Sequence, residues 1–201
     1  KDAYLYSVKK VGLFFGTFDP IHNGHLTLAN HFASESDLDS VWFVITPQNP
    51  FKLNFKMLPN ENRLELVRLA IKGSTKLDVS TVEFDLPTPN YTYDTLTHLE
   101  NKYPEIQFAL LMGEDNMVTF QKWKQYQSIL DRFELYVYPR KTQYSIPVEF
   151  KKHPKIKWTE APLVEITSTD IRNRIQQGKE IKSNLPLEVW NCILKKGFYS
   201  N

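Results

Sequence analysis

Residues 11–26 contain the sequence Val-Gly-Leu-Phe-Phe-Gly-Thr-Phe-Asp-Pro-Ile-His-Asn-Gly-His-Leu, and this stretch decides the fold. Its five apolar or small first residues are typical of a buried strand in a parallel sheet. Glycine, proline and small polar residues predict a loop over residues 16–23. Apolar residues at helical spacing then predict a helix that begins near Gly24. A strand, a turn and a helix N-terminus together form an anion-binding site, because free backbone N–H groups and the positive end of the helix dipole meet there.

Two histidines add hydrogen-bond donors to this loop. His22 and His25 are three residues apart at the start of the helix, so their rings can lie on one face and contact the same phosphate. Gly24 between them allows a close approach of the backbone. The alternative is a pair of ordinary turn histidines. The predicted strand and helix on either side favour the functional interpretation.

The composition limits the classes of protein to which the chain can belong. The chain has 201 residues, of which 41% are hydrophobic and 24% charged, and this predicts one domain with a helical C-terminal extension over residues 180–201. The single cysteine, Cys192, excludes an internal disulfide and is typical of a reducing compartment. A net charge of +2 does not indicate a nucleic-acid partner. We find neither a signal peptide nor an apolar run of about 20 residues, so we expect a cytoplasmic protein without a membrane partner. The sequence leaves open whether the protein forms a homo-oligomer.

Strand patterns alternate with helix patterns along the whole chain. This alternation predicts an α/β fold with a five- or six-stranded, mainly parallel sheet and helices on both faces. Further strands are predicted at residues 40–45, 77–84, 106–112, 133–138 and 156–158. Helices are predicted from Asn60, which is a plausible N-cap, and at residues 92–102, 117–130 with a break near Trp123, 167–178 and 187–196. Ligands of such sheets lie beyond the carboxyl ends of the strands.

A second anion site is predicted near the C-terminus, in the sequence Glu-Ile-Thr-Ser-Thr-Asp-Ile-Arg of residues 165–172. Three consecutive hydroxyl residues favour a helix N-terminus, where side chains and backbone N–H groups can bind an anion. Arg172 lies one turn beyond Ser168, so its guanidinium can return to the same phosphate. From these residues alone, a capped helix with a solvent-facing arginine is an equal alternative.

These two segments resemble the signatures of one family. Residues 16–25 resemble the signature of the nucleotidyltransferase superfamily, and the Thr-Phe-Asp-Pro form is nearest the bacterial nicotinate mononucleotide adenylyltransferases. Residues 166–172 are similar to the second motif of the same family. The resemblance implies a Rossmann-like nucleotidyltransferase fold. It also implies catalytic roles for His22, His25 and Arg172, and ATP contacts from Gly16, Thr17, Phe18, Ile166, Ser168, Thr169 and Arg172. Asp19 would orient either the turn or a metal shell, and the sequence leaves both open.

The resemblance extends to an acceptor site. Residues 89–96 are similar to the family segment that holds the pyridine ring, which implies that Tyr91 and Thr92 face this ring and that Trp123 stacks on it. Gly113 and Asp115 match the family pair that binds ribose hydroxyls. Three places depart from the pattern. Phe15 stands where the family often has glycine. The loop of residues 47–52 lacks the usual histidine, which leaves Asn49 and Lys52 as candidates for substrate and phosphate contact. Pro139 precedes Arg140, which is expected on the adenine side.

The reaction that this resemblance implies is transfer of AMP from ATP to nicotinate mononucleotide, with pyrophosphate as the second product. A phosphate nucleophile is already an anion, so the reaction needs no general base, and Mg²⁺ would bridge the phosphates of ATP. Pantetheine-phosphate adenylyltransferase and a non-catalytic nucleotide- or RNA-binding module are the alternatives. A class I aminoacyl-tRNA synthetase is disfavoured, because no Lys-Met-Ser-Lys-Ser-like loop follows. The choice between nicotinate and nicotinamide mononucleotide stays open.

Overall fold

A computed structural model describes residues 8–51 and 56–200 of the chain. Its centre is a six-stranded, wholly parallel sheet with the order β3-β2-β1-β4-β5-β6. The strands are β1 (Lys9–Gly16), β2 (Ser40–Ile45), β3 (Leu77–Ser80), β4 (Ile106–Gly113), β5 (Glu134–Tyr138) and β6 (Ile156–Trp158). The predicted fold class is therefore confirmed, with six strands.

Helices cover both faces of the sheet. They are α1 (Asn23–Glu35), α2 (Asn60–Ile71), α3 (Thr92–Lys102), α4 (Glu114–Met117), α5 (Tyr126–Arg132), α6 (Val148–Lys151), α7 (Ser168–Gln176) and α8 (Leu187–Lys196). Side chains of α1, α2, α7 and α8 join a hydrophobic cluster on one face, and those of α3, α4, α5 and α6 join a second cluster on the other. Successive residues of β1 alternate between the two, since Leu13 belongs to the second and Phe14 to the first.

The strand order reverses beside β1. The chain moves outward from β1 to β3, returns to the other side of β1 as β4, and continues outward to β6. A crevice forms at such a reversal because the connections after the two central strands go to opposite faces. Here the crevice lies between the end of β1 at Gly16 and the end of β4 at Gly113.

Three sequence predictions about individual elements are wrong. The third strand ends at Ser80, and a 3₁₀ turn over Val82–Asp85 replaces its second half. Pro59, not Asn60, occupies the N-cap of α2, and the Asn60 amide oxygen instead accepts a hydrogen bond from Arg63. In the helix predicted over residues 117–130 the break near Trp123 is confirmed, but the part before it is not helical throughout, because α4 ends at Met117 and a separate 3₁₀ turn covers Phe120–Lys122. Short α6 was absent from the sequence prediction.

Candidate active site

One cleft with two lobes opens at the carboxyl end of the sheet. The first lobe has a volume of about 1040 Å³ and is lined by the loop after β1 and the start of α7. We call it the phosphate lobe. The second has a volume of about 480 Å³ and is lined by the loop after β2 and the start of α3. We call it the acceptor lobe. The residues that border both lobes are Phe15, Gly16, Thr17, Asn49, Phe51, Asn116 and Tyr138.

The loop after β1 is fixed by packing as well as by its turn. Phe18 has a left-handed backbone (φ 47°), and its ring is 2% exposed. The ring packs edge-on against His25 with 5.0 Å between centroids, and a Cβ added at Gly16 would lie 2.9 Å from it. Phe18 therefore borders the phosphate lobe mainly as a packed support, while Gly16 and Thr17 present backbone to the cleft.

His22 and His25 cap the start of α1 reciprocally. The His22 Nδ1 atom accepts from the backbone N–H of His25 (3.3 Å), and the His25 Nδ1 atom accepts from the backbone N–H of His22 (3.2 Å). The rings are stacked, with 3.6 Å between centroids. A neutral imidazole that accepts at Nδ1 must have its proton on Nε2. Each ring therefore has its Nε2–H group as a hydrogen-bond donor.

The environment keeps both rings neutral. Burial, together with a smaller effect of the charge of Arg140, lowers the pKa of His22 to about 3. Burial, His22 and Arg140 also place the pKa of His25 well below its usual value. Neutral imidazoles cost less to bury than imidazolium ions and still donate from Nε2. The pair is thus suited to a charge that develops during a reaction.

Gly24 has a different use from the one predicted. A Cβ at this position would lie 2.3 Å from a Val164 methyl and 3.0 Å from two atoms of the His22 ring. Its lack of a side chain therefore gives room to the segment that precedes α7 and to the histidine ring itself.

The second predicted anion segment converges on the first. Ser168 Oγ donates to the carbonyl of Pro20 (2.9 Å), and an Arg172 amino group donates to the carbonyl of Asp19 (2.6 Å). Thr167 is the N-cap of α7 and accepts from the backbone N–H of Asp170. The phosphate lobe is lined by His22, His25, Thr167, Ser168, Thr169 and Arg172. Ile166 packs instead against the hydrophobic cluster under the loop.

The segments after β4 and β5 add a charged pair to this lobe. Asp115 and Arg140 both line it, with 3.9 Å between a carboxylate oxygen and the Arg140 Nε atom. Arg140 also donates to the carbonyl of Val164 (3.4 Å). A Cβ at Gly113 would lie 2.4 Å from the Asp115 carboxylate, so glycine lets this side chain fold back over the strand end. The charge of Arg140 lowers the pKa values of His22 and His25, so it acts on the loop after β1.

The acceptor lobe has the more apolar lining of the two. It is lined by Phe15, Tyr91, Tyr93 and Trp123, together with Asn49 and Thr92. Trp123 packs edge-on against Phe120 with 5.4 Å between centroids, which fixes its ring at the mouth of the lobe. Thr92 is the first residue of α3, and Tyr91 occupies the N-cap without a side-chain cap. Of the predicted acceptor residues, Lys52 lies outside the described residues.

Three buried polar residues near these lobes, Arg63, Glu83 and Asn90, were missed by the sequence analysis, as was the partly buried Tyr199. Arg63 is 1% exposed, and its guanidinium donates to the carbonyls of Thr17, Thr46 and Leu58. It thereby ties the loop after β1 to the loop after β2. The signal in the sequence was weak, since an arginine at one position of an amphipathic helix usually faces solvent.

Asp19 is fully buried beneath the phosphate lobe. One carboxylate oxygen accepts from Tyr199 Oη (2.7 Å) and from the backbone N–H of Leu58 (3.3 Å). Burial and the carboxylate raise the pKa of the Tyr199 phenol. These contacts hold the turn from behind, while the other carboxylate oxygen, Oδ2, is buried without a hydrogen-bond partner among the described residues. Tyr199 was missed because it is 180 residues away in sequence.

Asn90 and Glu83 support the acceptor lobe. The Asn90 backbone N–H donates to the Gln48 carbonyl (2.9 Å), while its side chain donates to the Glu83 carbonyl (3.2 Å). The Glu83 carboxyl accepts from Thr95 Oγ1 (2.8 Å) and borders the lobe. Glu83 was missed because the alternating pattern placed it in a strand, where it would be a solvent-facing residue.

The described part of the chain contains no group of three or more His, Cys, Asp or Glu side chains arranged to hold a metal ion. Mg²⁺ commonly takes one or two carboxylates and relies on substrate phosphates for the rest of its shell. The donor set here fits a metal ion that arrives on a polyphosphate and does not fit a resident one. Among the described helices, none has the length and apolar character to cross a membrane.

Comparison with known proteins defines the class first. A cytidylyltransferase-like family model matches residues 13–174, which span the sheet and both lobes, and the chain belongs to this family of nucleotidyltransferases. Solved structures agree on the fold. An adenylyltransferase from Vibrio parahaemolyticus superposes with a TM-score of 0.72 at 24% identity and covers 95% of each chain. The Plasmodium falciparum nicotinic acid mononucleotide adenylyltransferase in complex with NaAD superposes with a TM-score of 0.78 at 19% identity and covers 95% of this chain and 97% of its own.

Within this class, full-length relatives identify a particular group. A protein of Flavobacterium johnsoniae named probable nicotinate-nucleotide adenylyltransferase is 50% identical over 190 residues, which are 94% of this chain and 98% of the relative. A protein of the same name from Cytophaga hutchinsonii is 45% identical over 96% of this chain and 99% of its own. The chain therefore belongs to the nicotinate-nucleotide adenylyltransferases.

Proposed function

We propose that this protein transfers AMP from ATP to nicotinate mononucleotide and releases pyrophosphate, in the synthesis of NAD. The observation that supports this most directly is the convergence of two segments 140 residues apart in sequence. The paired imidazoles of α1 and the hydroxyl and guanidinium groups of α7 line one lobe, while an aromatic lobe adjoins it across Gly16 and Thr17. ATP and a mononucleotide would occupy the two lobes and meet at the end of β1.

The histidine pair is proposed to act on the α-phosphate. The Nε2–H groups of His22 and His25 would donate to oxygens whose charge grows as the acceptor phosphate attacks. Because both pKa values are lowered, the rings stay neutral near pH 7 and lose no proton to the phosphate. The entering nucleophile is an anion, so no general base is assigned.

The leaving group is proposed to lie at the start of α7. Ser168, Thr169 and Arg172 would hold the β- and γ-phosphates, because backbone N–H groups, hydroxyls and a guanidinium converge there. ATP would enter as its magnesium complex, and the phosphates would supply most of the metal shell. Asp115 with Gly113 would bind ribose hydroxyls, and Arg140 would lie over the nucleotide on the same side.

The acceptor lobe is proposed to hold the pyridine ring. Trp123 would stack on this ring, since an indole face suits an electron-poor ring, and the start of α3 at Tyr91 and Thr92 would bind its carboxylate. Asn49, which borders both lobes, would contact the shared phosphate region. Cytoplasmic location, oligomeric state and the lack of a nucleic-acid partner stay predictions.

A pyrophosphate-release assay tests the proposal. The purified chain is given ATP, Mg²⁺ and one acceptor from the set nicotinate mononucleotide, nicotinamide mononucleotide and phosphopantetheine. We expect the highest kcat/KM with nicotinate mononucleotide. Turnover with phosphopantetheine alone would replace this function by the pantetheine-phosphate alternative, and no turnover with any acceptor would favour a binding module.

A further inference from the structure

The acceptor lobe contains a buried carboxyl group that the proposed reaction does not use. Glu83 lies on the 3₁₀ turn after β3 and is 1% exposed. One of its carboxyl oxygens accepts from Thr95 Oγ1. The other oxygen, Oε2, is buried and has no hydrogen-bond partner among the described residues. A buried polar atom without a protein partner is rare, and a proton on the group, a bound ion or an ordered water accounts for such an atom.

Glu83 is close to any molecule that occupies this lobe, because the lobe is small and Glu83 is one of its lining residues. Glu83 borders a cavity of about 480 Å³ together with Tyr91, Thr92 and Trp123, the residues proposed to hold the acceptor ring. Nicotinate carries a carboxylate on that ring, and two carboxylates in one poorly solvated cavity cannot both stay ionised without a large cost. If one of the two is a neutral carboxyl, its O–H group can donate a hydrogen bond to the other carboxylate, and the charge repulsion is absent.

We propose that Glu83 is protonated when the acceptor binds, and that this proton makes Glu83 a residue that favours an anionic ring substituent over a neutral amide. This inference depends on the proposed function and names the chemistry by which its acceptor lobe distinguishes acid from amide. The proton comes from solvent and stays on the carboxyl, so acceptor binding takes up a proton and no covalent step is involved. Ionised Glu83 repels a ring carboxylate but accepts an amide N–H.

The surroundings of Glu83 favour the protonated form of its carboxyl, so that it can take up a proton near neutral pH. Burial raises its pKa to about 7, against opposing effects of the Thr95 and Thr46 hydroxyls. The Thr46 hydroxyl acts from nearby without making a hydrogen bond to Oε2. The other ionisable groups around the lobe are the phenols of Tyr91, Tyr93 and Tyr138, the ammonium groups of Lys122 and Lys124, Asp85 on the same turn and Asp94 on α3. Lys124 is paired with Asp94 (2.8 Å), and none of these groups contributes to the Glu83 shift.

The test measures the ratio of kcat/KM for nicotinate mononucleotide to kcat/KM for nicotinamide mononucleotide between pH 6 and pH 9. Both acceptors have the same ribose phosphate, so its titration cancels in the ratio. We expect the ratio to be constant at low pH and to fall about tenfold per pH unit above about pH 7, as one proton is lost. Glu83→Gln keeps a neutral donor at this position, and its ratio should stay flat across the range.

Thr95→Val provides a second variant that does not touch Glu83 itself. The Thr95 hydroxyl donates to the carboxyl and favours its ionised form, so removal of the hydroxyl should move the midpoint of the profile to higher pH. A purely structural role for Glu83 predicts no such movement. Calorimetric titration of each acceptor in two buffers of different ionisation enthalpy measures proton uptake directly, and nicotinate mononucleotide should take up more than nicotinamide mononucleotide.

The outcomes are distinct. A flat ratio in the unmodified chain, or a slope that persists in Glu83→Gln, would overturn this inference and leave the adenylyltransferase activity in place. Absence of turnover with both mononucleotides would overturn the proposed function instead. If Glu83→Gln does not fold, an unchanged midpoint in Thr95→Val overturns the inference.

Discussion

The phosphate lobe and the acceptor lobe adjoin each other but are built differently. The phosphate lobe is formed by α1 and α7, whose side chains pack in the cluster on one face of the sheet. Most of its polar groups belong to two contiguous sequence segments, and Asp115 and Arg140 are added after β4 and β5. The acceptor lobe is formed on the other face by α3 and the 3₁₀ turn before Trp123, and its loops are joined through buried Asn90 and Glu83. Hydrogen bonding to a polyphosphate needs many donors in a short segment, whereas shape recognition of a ring needs side chains from several elements.

The largest expected effect is at the histidine pair. His25→Ala should lower kcat by about 10²–10³-fold, because it removes one donor to the developing charge and one half of the reciprocal cap. The measurement is steady-state pyrophosphate release with both substrates saturating. His98 is an exposed histidine of α3, and His98→Ala, the matched control, should leave kcat unchanged. A rate equal to that of the control would remove His25 from the reaction.

Arg172→Ala should act on ATP more than on the acceptor. Loss of the guanidinium removes a donor to the proposed pyrophosphate site, so we expect kcat/KM for ATP to fall by about 10- to 100-fold. The control is Arg174→Ala, which lies two residues further along α7, is exposed and bonds only to the Glu180 carbonyl among the interactions described. Equal losses for ATP and mononucleotide would contradict the division into two lobes.

Trp123→Ala tests the same division from the other side. The KM for nicotinate mononucleotide should rise about tenfold, since a stacked aromatic ring contributes about 1–3 kcal/mol, while the KM for ATP should change little. Trp158→Ala, a half-exposed tryptophan on β6, is the control. A parallel rise in both KM values would make Trp123 a structural residue.

The smallest effect is expected beneath the phosphate lobe. Tyr199→Phe removes the hydrogen bond to Asp19 and should lower the free energy of unfolding by about 1–2 kcal/mol, measured by urea denaturation. Because Asp19 holds the turn of the phosphate lobe, the KM for ATP should rise more than the KM for the mononucleotide. Tyr144→Phe, whose ring is exposed, serves as control, and a stability loss without any change in the KM for ATP would limit Tyr199 to folding.

The phosphate lobe was predicted from sequence almost completely. His22, His25, Ser168, Thr169 and Arg172 all line it, because each group is within a few residues of a helix start whose position follows from local pattern. In the acceptor lobe, Asn49, Tyr91, Thr92 and Trp123 were also located correctly at the cavity. Glu83 was not, because the 3₁₀ turn that carries it depends on the strand ending early at Ser80.

The sequence by itself determined the alternation of strands and helices, the parallel sheet and the two helix N-termini that are proposed to bind anions. These features depend on residues close together in the chain, where hydrophobic period and capping residues act directly. Only the tertiary structure determined the pairing of Tyr199 with Asp19, the burial of Arg63 and the unpartnered oxygen of Glu83. Each of these depends on desolvation by elements distant in sequence, and no local pattern of residues encodes which polar group will be shielded from water.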